Sequence, residues 1–497
     1  MNTGKRIGIN TIATTVAEYF GLILSFIFVA IFARYLGVES YGTYAFAFSF
    51  VSMFRMLFDL GLNSLNVREI ARNKDKTNFY FGNSLIIELI SSTVLVVFVG
   101  TLVHFLGYDN QTVYIVLVAA ICISFEVIGW VAFSIFSAYE FKYYEALIRI
   151  AGKFVYITLG FIGIFLQFTL LELVGLFAVA SAIQMVIGYF VLIRKIIVPK
   201  IVVDFKAWPD LIKMALPFAI GGIFFDIYFN IDMTMVSLLK GEAAVGYYSI
   251  AYRFMVIFLI IPSALSGSLM PVFSRLYSSS SHDLIVKAFT RSVNYLLIIS
   301  IPLAIGMSLI SDIAILTIFG IDYENSIVAL QILVWVLVFY YVNSISLSAL
   351  YSLDRQRVVL FSLLGSVILN VALNFYLIPL YSYSGAAIAT VITEVCLFIQ
   401  YGYYLKKNGI VVHYSKYFFK PFFAGIVMGI ILYFAKMLLV NLPMVLQLGI
   451  LIVAGISTYF GVLYLVKGIQ DEDIIIVKRV LGLHKDGSDI PQHEIQK

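Results

Sequence analysis

Uninterrupted apolar runs, each about as long as a helix that crosses a bilayer, recur along this chain from residue 11 to residue 466. A hydrocarbon core of ~30 Å takes roughly 20 residues at a rise of 1.5 Å each. The pattern predicts about fourteen spans, at 11–33, 41–62, 79–106, 111–138, 143–167, 170–193, 209–237, 243–274, 288–319, 325–351, 358–380, 384–405, 421–440 and 444–466. Polar residues collect in short connectors between them. The fold class this implies is an all-α polytopic membrane protein whose work is done by the helices themselves.

Composition agrees: 62% of residues are hydrophobic and 12% charged, against about 25% charged in soluble domains. Cys122 and Cys396 both lie inside apolar runs, so no disulfide framework is expected. The five histidines share no metal-ligand spacing, and no metal or cofactor is expected from them. Lys5 and Arg6 precede the first run as in a signal peptide. The run continues through Ile31 without a small-residue cleavage site, so it reads as a retained first helix.

Charge then orients the chain. With the N-terminus inside, the inner connectors take nearly all the lysines and arginines outside the spans, among them Arg68, Arg72, Lys74 and Lys76, then Arg194 and Lys195, then Lys406 and Lys407. The outer loops hold only Arg34 and Lys240. This is the inside-positive bias, and it predicts a cell-membrane protein with both termini cytoplasmic. The net charge of +5 is explained by topology, and nucleic-acid binding has no support.

Two halves repeat. Gly37-x4-Gly42-x-Tyr44 stands at the outer turn before the second span, and Gly241-x4-Gly246-x-Tyr248 at the turn before the eighth. Gly188-Tyr189-Phe190 and Gly402-Tyr403-Tyr404 close the sixth and twelfth. Six is even, so the halves share one orientation as a parallel repeat. The expected division is 1–207 and 208–407 as two six-helix lobes, 408–466 as an added helix pair, and 467–497 as a cytoplasmic tail. All ten prolines lie at or after Pro199, with Pro217, Pro262 and Pro302 inside spans. The C-terminal half is therefore expected to bend where the N-terminal half stays straighter.

Arg34-Tyr35-Leu36-Gly37, Tyr41-Gly42-Thr43-Tyr44, Asp59-Leu60-Gly61-Leu62 and Arg68-Glu69-Ile70-Ala71-Arg72 follow in order. This opening resembles the polysaccharide biosynthesis family of flippases for lipid-linked oligosaccharides. That family shares a superfamily with lipid II flippases and multidrug exporters. The resemblance implies two lobes facing a central cavity that opens alternately to either side. It further implies a substrate of sugars on a polyprenyl diphosphate, with membrane lipid and glycan-assembly proteins as partners. A multidrug exporter is the alternative, and a glycan polymerase or ligase a more distant one. No catalytic nucleophile-base set, glycine loop or metal spacing supports an enzyme.

Charges in mid-bilayer cost about 2.5–3.5 kcal/mol on insertion scales, so they ask for a reason. Arg55, Arg149, Lys153 and Arg253 are candidates to hold a diphosphate, arginine offering paired donors to phosphate oxygens. Local pairing is the competing explanation, through Asp59 for Arg55 and Glu145 for Arg149, each four residues away. Asp226 and Asn230, Asn370 and Asn374, and Thr390 and Glu394 share helix faces on spans seven, eleven and twelve. They are candidates for sodium or proton coupling, and this looks like the cation site of lipid II flippases. Interhelical hydrogen bonding explains them equally well. Glu18, Glu88 and Glu126 are further intramembrane carboxylates.

Overall fold

The computed structural model describes residues 3–279 and 282–468, with side chains from Phe20 onward except that of His282. The tail from residue 469 and the side chains of Lys5, Arg6 and Glu18 lie outside the described residues. Sixteen α-helices follow one another, with no strand among the described residues. The first half holds α1 Thr3–Met53, α2 Arg55–Asp59, α3 Leu62–Arg72, α4 Thr77–Phe105, α5 Asn110–Ala138, α6 Lys142–Phe165 and α7 Leu170–Lys195. Then come α8 Trp208–Lys240, α9 Glu242–Ser278, α10 His282–Ile318, α11 Ser326–Leu333 and α12 Val336–Ser352. The last four are α13 Gln356–Tyr381, α14 Tyr383–Lys407, α15 Tyr414–Leu438 and α16 Met444–Leu465.

Thirteen helical segments among the described residues are long and apolar enough to cross a membrane. The first of them contains two predicted spans. At 51 residues, α1 would be ~77 Å long if straight, well beyond one bilayer core. Gly37, at φ 74° and ψ 174°, breaks it between the two. Dividing α1 there restores the expected count of about fourteen. The protein is a multi-pass, all-α membrane protein.

Gly241 adopts φ 81° and ψ 178°, nearly the geometry of Gly37, in a region of backbone space that is essentially glycine-only. The two turns also face each other. A Cβ on Gly42 would collide with the Glu242 carbonyl, and one on Gly246 with the Val38 carbonyl. The repeated glycines therefore let α1 and α9 touch backbone to backbone. At the same end, Arg34 donates to the Thr317 carbonyl at 2.7 Å and Lys240 to the Pro379 carbonyl at 2.9 Å. Both acceptors sit in the last turns of α10 and α13, where carbonyls lack helical partners and favour a cation. The two exceptions to the charge bias thus have local employment.

The clearest break within a span falls where there is no proline. Helices α8, α9 and α10 run through Pro217, Pro262 and Pro302. The second span, in the half expected to be straighter, is interrupted by left-handed Leu60 (φ 55°) and Gly61 (φ 77°). Asp59 holds the break open by accepting the N–H groups of Gly61 and Asn63, each at 3.1 Å. The Asp-Leu-Gly-Leu element is thus a helix interruption with its own cap. A Cβ on Gly61 would lie 2.5 Å from the Ala215 carbonyl and 2.8 Å from Ala219 N on α8. Gly61→Ala should therefore lower stability by about 1–2 kcal/mol, the usual cost of left-handed backbone, and more if α8 cannot yield. Thermal unfolding in detergent measures it, and an unchanged midpoint would refute this packing.

Helices α15 and α16 pack on α10. Gly425 and Gly429 admit Ile301, Ile305 and Leu309 against the α15 backbone. Lys436 pairs with Asp312 at 2.6 Å, and Tyr459 donates to the Ile298 carbonyl at 2.8 Å.

Candidate functional site

A cavity of ≈ 790 Å³ opens between α1, α5, α6, α7 and α9, with Tyr44, Glu126, Trp130, Arg149, Lys153 and Tyr156 on its wall. Two of the four predicted cations, Arg149 and Lys153, line it directly. Arg149 pairs with Glu145 at 2.9 Å, one turn away as its spacing allows, and is about half exposed. Lys153 makes no salt bridge among the described residues. Its ammonium lies 5.6 Å from the Tyr156 ring, and its charged neighbours are Arg253 and Glu126.

Arg253 comes from the far side, on α9, and lies behind this wall. The phenols of Tyr41, Tyr44 and Tyr156 surround it, and Tyr44 and Tyr156 bond each other at 2.9 Å. It too makes no salt bridge among the described residues. Arg55 behaves differently. Its guanidinium sits 5.6 Å from the Trp130 ring and pairs with Asp226 of α8 rather than with Asp59. Asp59 is occupied in capping the α2–α3 break. Glu126 lies within the electrostatic reach of Arg55, Lys153 and Arg149, so one carboxylate sits amid three of the four cations.

The six oxygen and amide candidates do not form one site. Asp226 goes to Arg55, and Asn230 donates at 2.8 Å to the Asp226 carbonyl of its own helix. Glu394 accepts from Tyr228 at 2.5 Å and from Asn343 at 2.6 Å. The other three converge on a residue that the face pairing overlooked, Asp232. Its carboxylate accepts from Thr390 at 2.6 Å, Asn374 at 2.7 Å and Tyr248 at 2.8 Å. Asn374 also donates to Asn370 at 2.9 Å. Asp232 is 5% exposed, and the cluster joins α8, α9, α13 and α14. Three donors point at this carboxylate, and the carbonyl oxygen of Asn374, turned away from it, is buried without a hydrogen-bond partner. Asp232, not Asp226, is the acid that Asn370, Asn374 and Thr390 meet. Asp232 is a second intramembrane acid on the same span, six residues after Asp226, in the run Asn-Ile-Asp-Met-Thr-Met; that was the available signal.

The repeat motif supplies one tyrosine to each place. Tyr44 is on the cavity wall, and its counterpart Tyr248 holds the Asp232 carboxylate.

A bundle of membrane helices around a cation-lined cavity is the architecture of a transporter. Among solved structures, the lipid II flippase MurJ in an inward closed conformation superimposes with a TM-score of 0.74 at 20% identity, over 95% of this chain and 99% of that one. The probable low-salt glycan biosynthesis flippase Agl15 of Haloferax volcanii is 24% identical over 468 residues, covering 92% of this chain and 95% of its own. The lipid II flippase MurJ of Bacillus subtilis is 23% identical over 217 residues, 41% of this chain and 39% of that one. The polysaccharide biosynthesis protein model matches residues 7–277, and a MatE model matches residues 217–376. With more than half of its length matched, the chain belongs to the polysaccharide biosynthesis protein family.

Proposed function

We propose that this protein is a flippase that moves a polyprenyl-diphosphate-linked oligosaccharide from the cytoplasmic to the outer leaflet of the cell membrane by alternating access. The observation that carries the reading is the cavity lined by Arg149 and Lys153, with Arg253 just behind it. Cations on the wall of an enclosed cavity offset the cost of taking a diphosphate out of water, while the prenyl chain stays in lipid. No bond is made or broken; the physical step is a change in which end of the cavity is open. The relatives named for glycan and lipid II flipping support this substrate class. The two repeat-related halves, 1–207 and 208–407, are the bodies we take to rock against each other, with 408–466 as an added pair. Both termini face the cytoplasm in this reading, and glycan-assembly enzymes deliver and collect the substrate.

The MatE match favours multidrug export as the second reading. On the cavity wall Lys142, Arg149 and Lys153 outnumber Glu126 and Glu145, an excess of positive charge that disfavours the cationic compounds such a pump would take. Proteoliposomes carrying a short polyprenyl-diphosphate glycan separate the two, scored by access of an added glycosidase or lectin to the far leaflet. Glycan movement without movement of organic cations is the expected result; the converse would overturn the assignment.

Asp232, Asn370, Asn374 and Thr390 are the groups that would hold a coupling ion, sodium or a proton. The chemistry such an ion would supply is neutralisation of Asp232, whose carboxylate already ties α8 to α13 and α14 through Asn374 and Thr390. Asp232→Asn should then make flipping indifferent to sodium and less steep in pH. Identical ion dependence in that variant would return the cluster to a purely structural role.

A further inference from the structure

A second pair of buried acids stands apart from both places described above. Glu88 on α4 is 0% exposed and Asp59 at the end of α2 is 2% exposed. They share one amide: the Asn63 side-chain N–H group donates to Asp59 and, at 3.2 Å, to one oxygen of Glu88. The two carboxylates are unequal. Asp59 also takes two backbone N–H groups. The second oxygen of Glu88 is buried with no hydrogen-bond partner, and so is the hydroxyl of Ser92, one turn further along the same face of α4. Arg55 influences Asp59, and Tyr189 of α7 faces Glu88; Arg55 itself is held by Asp226.

Two neighbouring carboxylates in a dry site do not both stay ionised. Asp59, with its donors, is the one suited to carry charge. Glu88, with one long hydrogen bond and an orphaned oxygen, is suited to be neutral. A metal ion is the poorer occupant, because the shared amide turns its N–H donors, not its oxygen, toward the acids. We propose that Glu88 is a proton-binding site, loaded in the state described here.

Its position gives the proton a consequence. Asp59 caps the Leu60–Gly61 break, and that break is sealed against Ala215 and Ala219 of α8. When α2 and α3 part from α8, water reaches the pair, Glu88 gives its proton to that water, and the two like charges then repel. Loss of the proton thus favours the parted state, and its return favours the sealed one.

Infrared difference spectroscopy of the whole protein in lipid tests this without any transport assay, so the result is independent of the flippase reading. At neutral pH one component of the protonated buried-carboxyl absorbance should be lost in Glu88→Gln and kept in Glu394→Gln. If Glu88→Gln fails to fold, Asp59→Asn serves: removing the neighbouring charge should diminish the Glu88 band at neutral pH. An unchanged band in a folded Glu88→Gln overturns the proposal. A band that responds to sodium at fixed pH also overturns it, by assigning a metal ion instead.

Discussion

Arg253→Ala is expected to cut glycan flipping by roughly 30-fold or more at unchanged expression. Removing one side of a buried, hydrogen-bonded charge contact costs about 2–5 kcal/mol, and each ~1.4 kcal/mol is a factor of ten. Arg253 has this weight because no carboxylate neutralises it among the described residues, only the phenols of Tyr41, Tyr44 and Tyr156. That unpaired charge lies just behind the wall that Tyr44 and Tyr156 form. Arg149→Ala should cost less, since that guanidinium is half exposed and already paired with Glu145. Arg253→Lys separates charge from geometry: partial rescue means that a point charge suffices, and none means that paired donors are required. A wild-type rate in Arg253→Ala would remove the residue from the substrate path.

The second large effect is expected from Gly42→Leu. Its side chain would enter the space of the Glu242 backbone, which cannot turn away as a flexible side chain can. The turn carrying Gly37 and the turn carrying Gly241 would then be held apart, and flipping should fall to background in a protein that still folds. A cysteine at Ala244, 7% exposed in the native packing, reports the separation once Cys122 and Cys396 are replaced by serine. It should resist a membrane-impermeant maleimide in the parent and react in the Gly42→Leu background. Protection together with normal transport would mean that the two turns need not meet.

Much of the architecture was legible in the apolar pattern, because lipid imposes a length on every helix. The predicted spans 111–138 and 444–466 differ from α5 and α16 by a residue at most. Contacts between helices were harder to read. Spacing along one helix finds partners such as Arg149 and Glu145. It fails where the backbone departs from helix, as beside Arg55, whose neighbour Asp59 turns inward to cap a break. It also fails where the partners come from other helices: Asp232 meets Tyr248, Asn374 and Thr390 on three separate elements, 16 to 158 positions away. No period relates them. The face pairing named Asn370, Asn374 and Thr390, which meet at Asp232, together with Asp226, Asn230 and Glu394, which bond elsewhere.

The last two helices have no seat of their own. Glycines at 425 and 429, the Lys436 bridge to Asp312 and the Tyr459 hydroxyl all fasten them to α10. Any tilt of that helix would sweep the attached pair sideways through the lipid like an outrigger on a hull. The annulus on that flank would have to rearrange each time, so bilayer stiffness there becomes a load on the transport cycle.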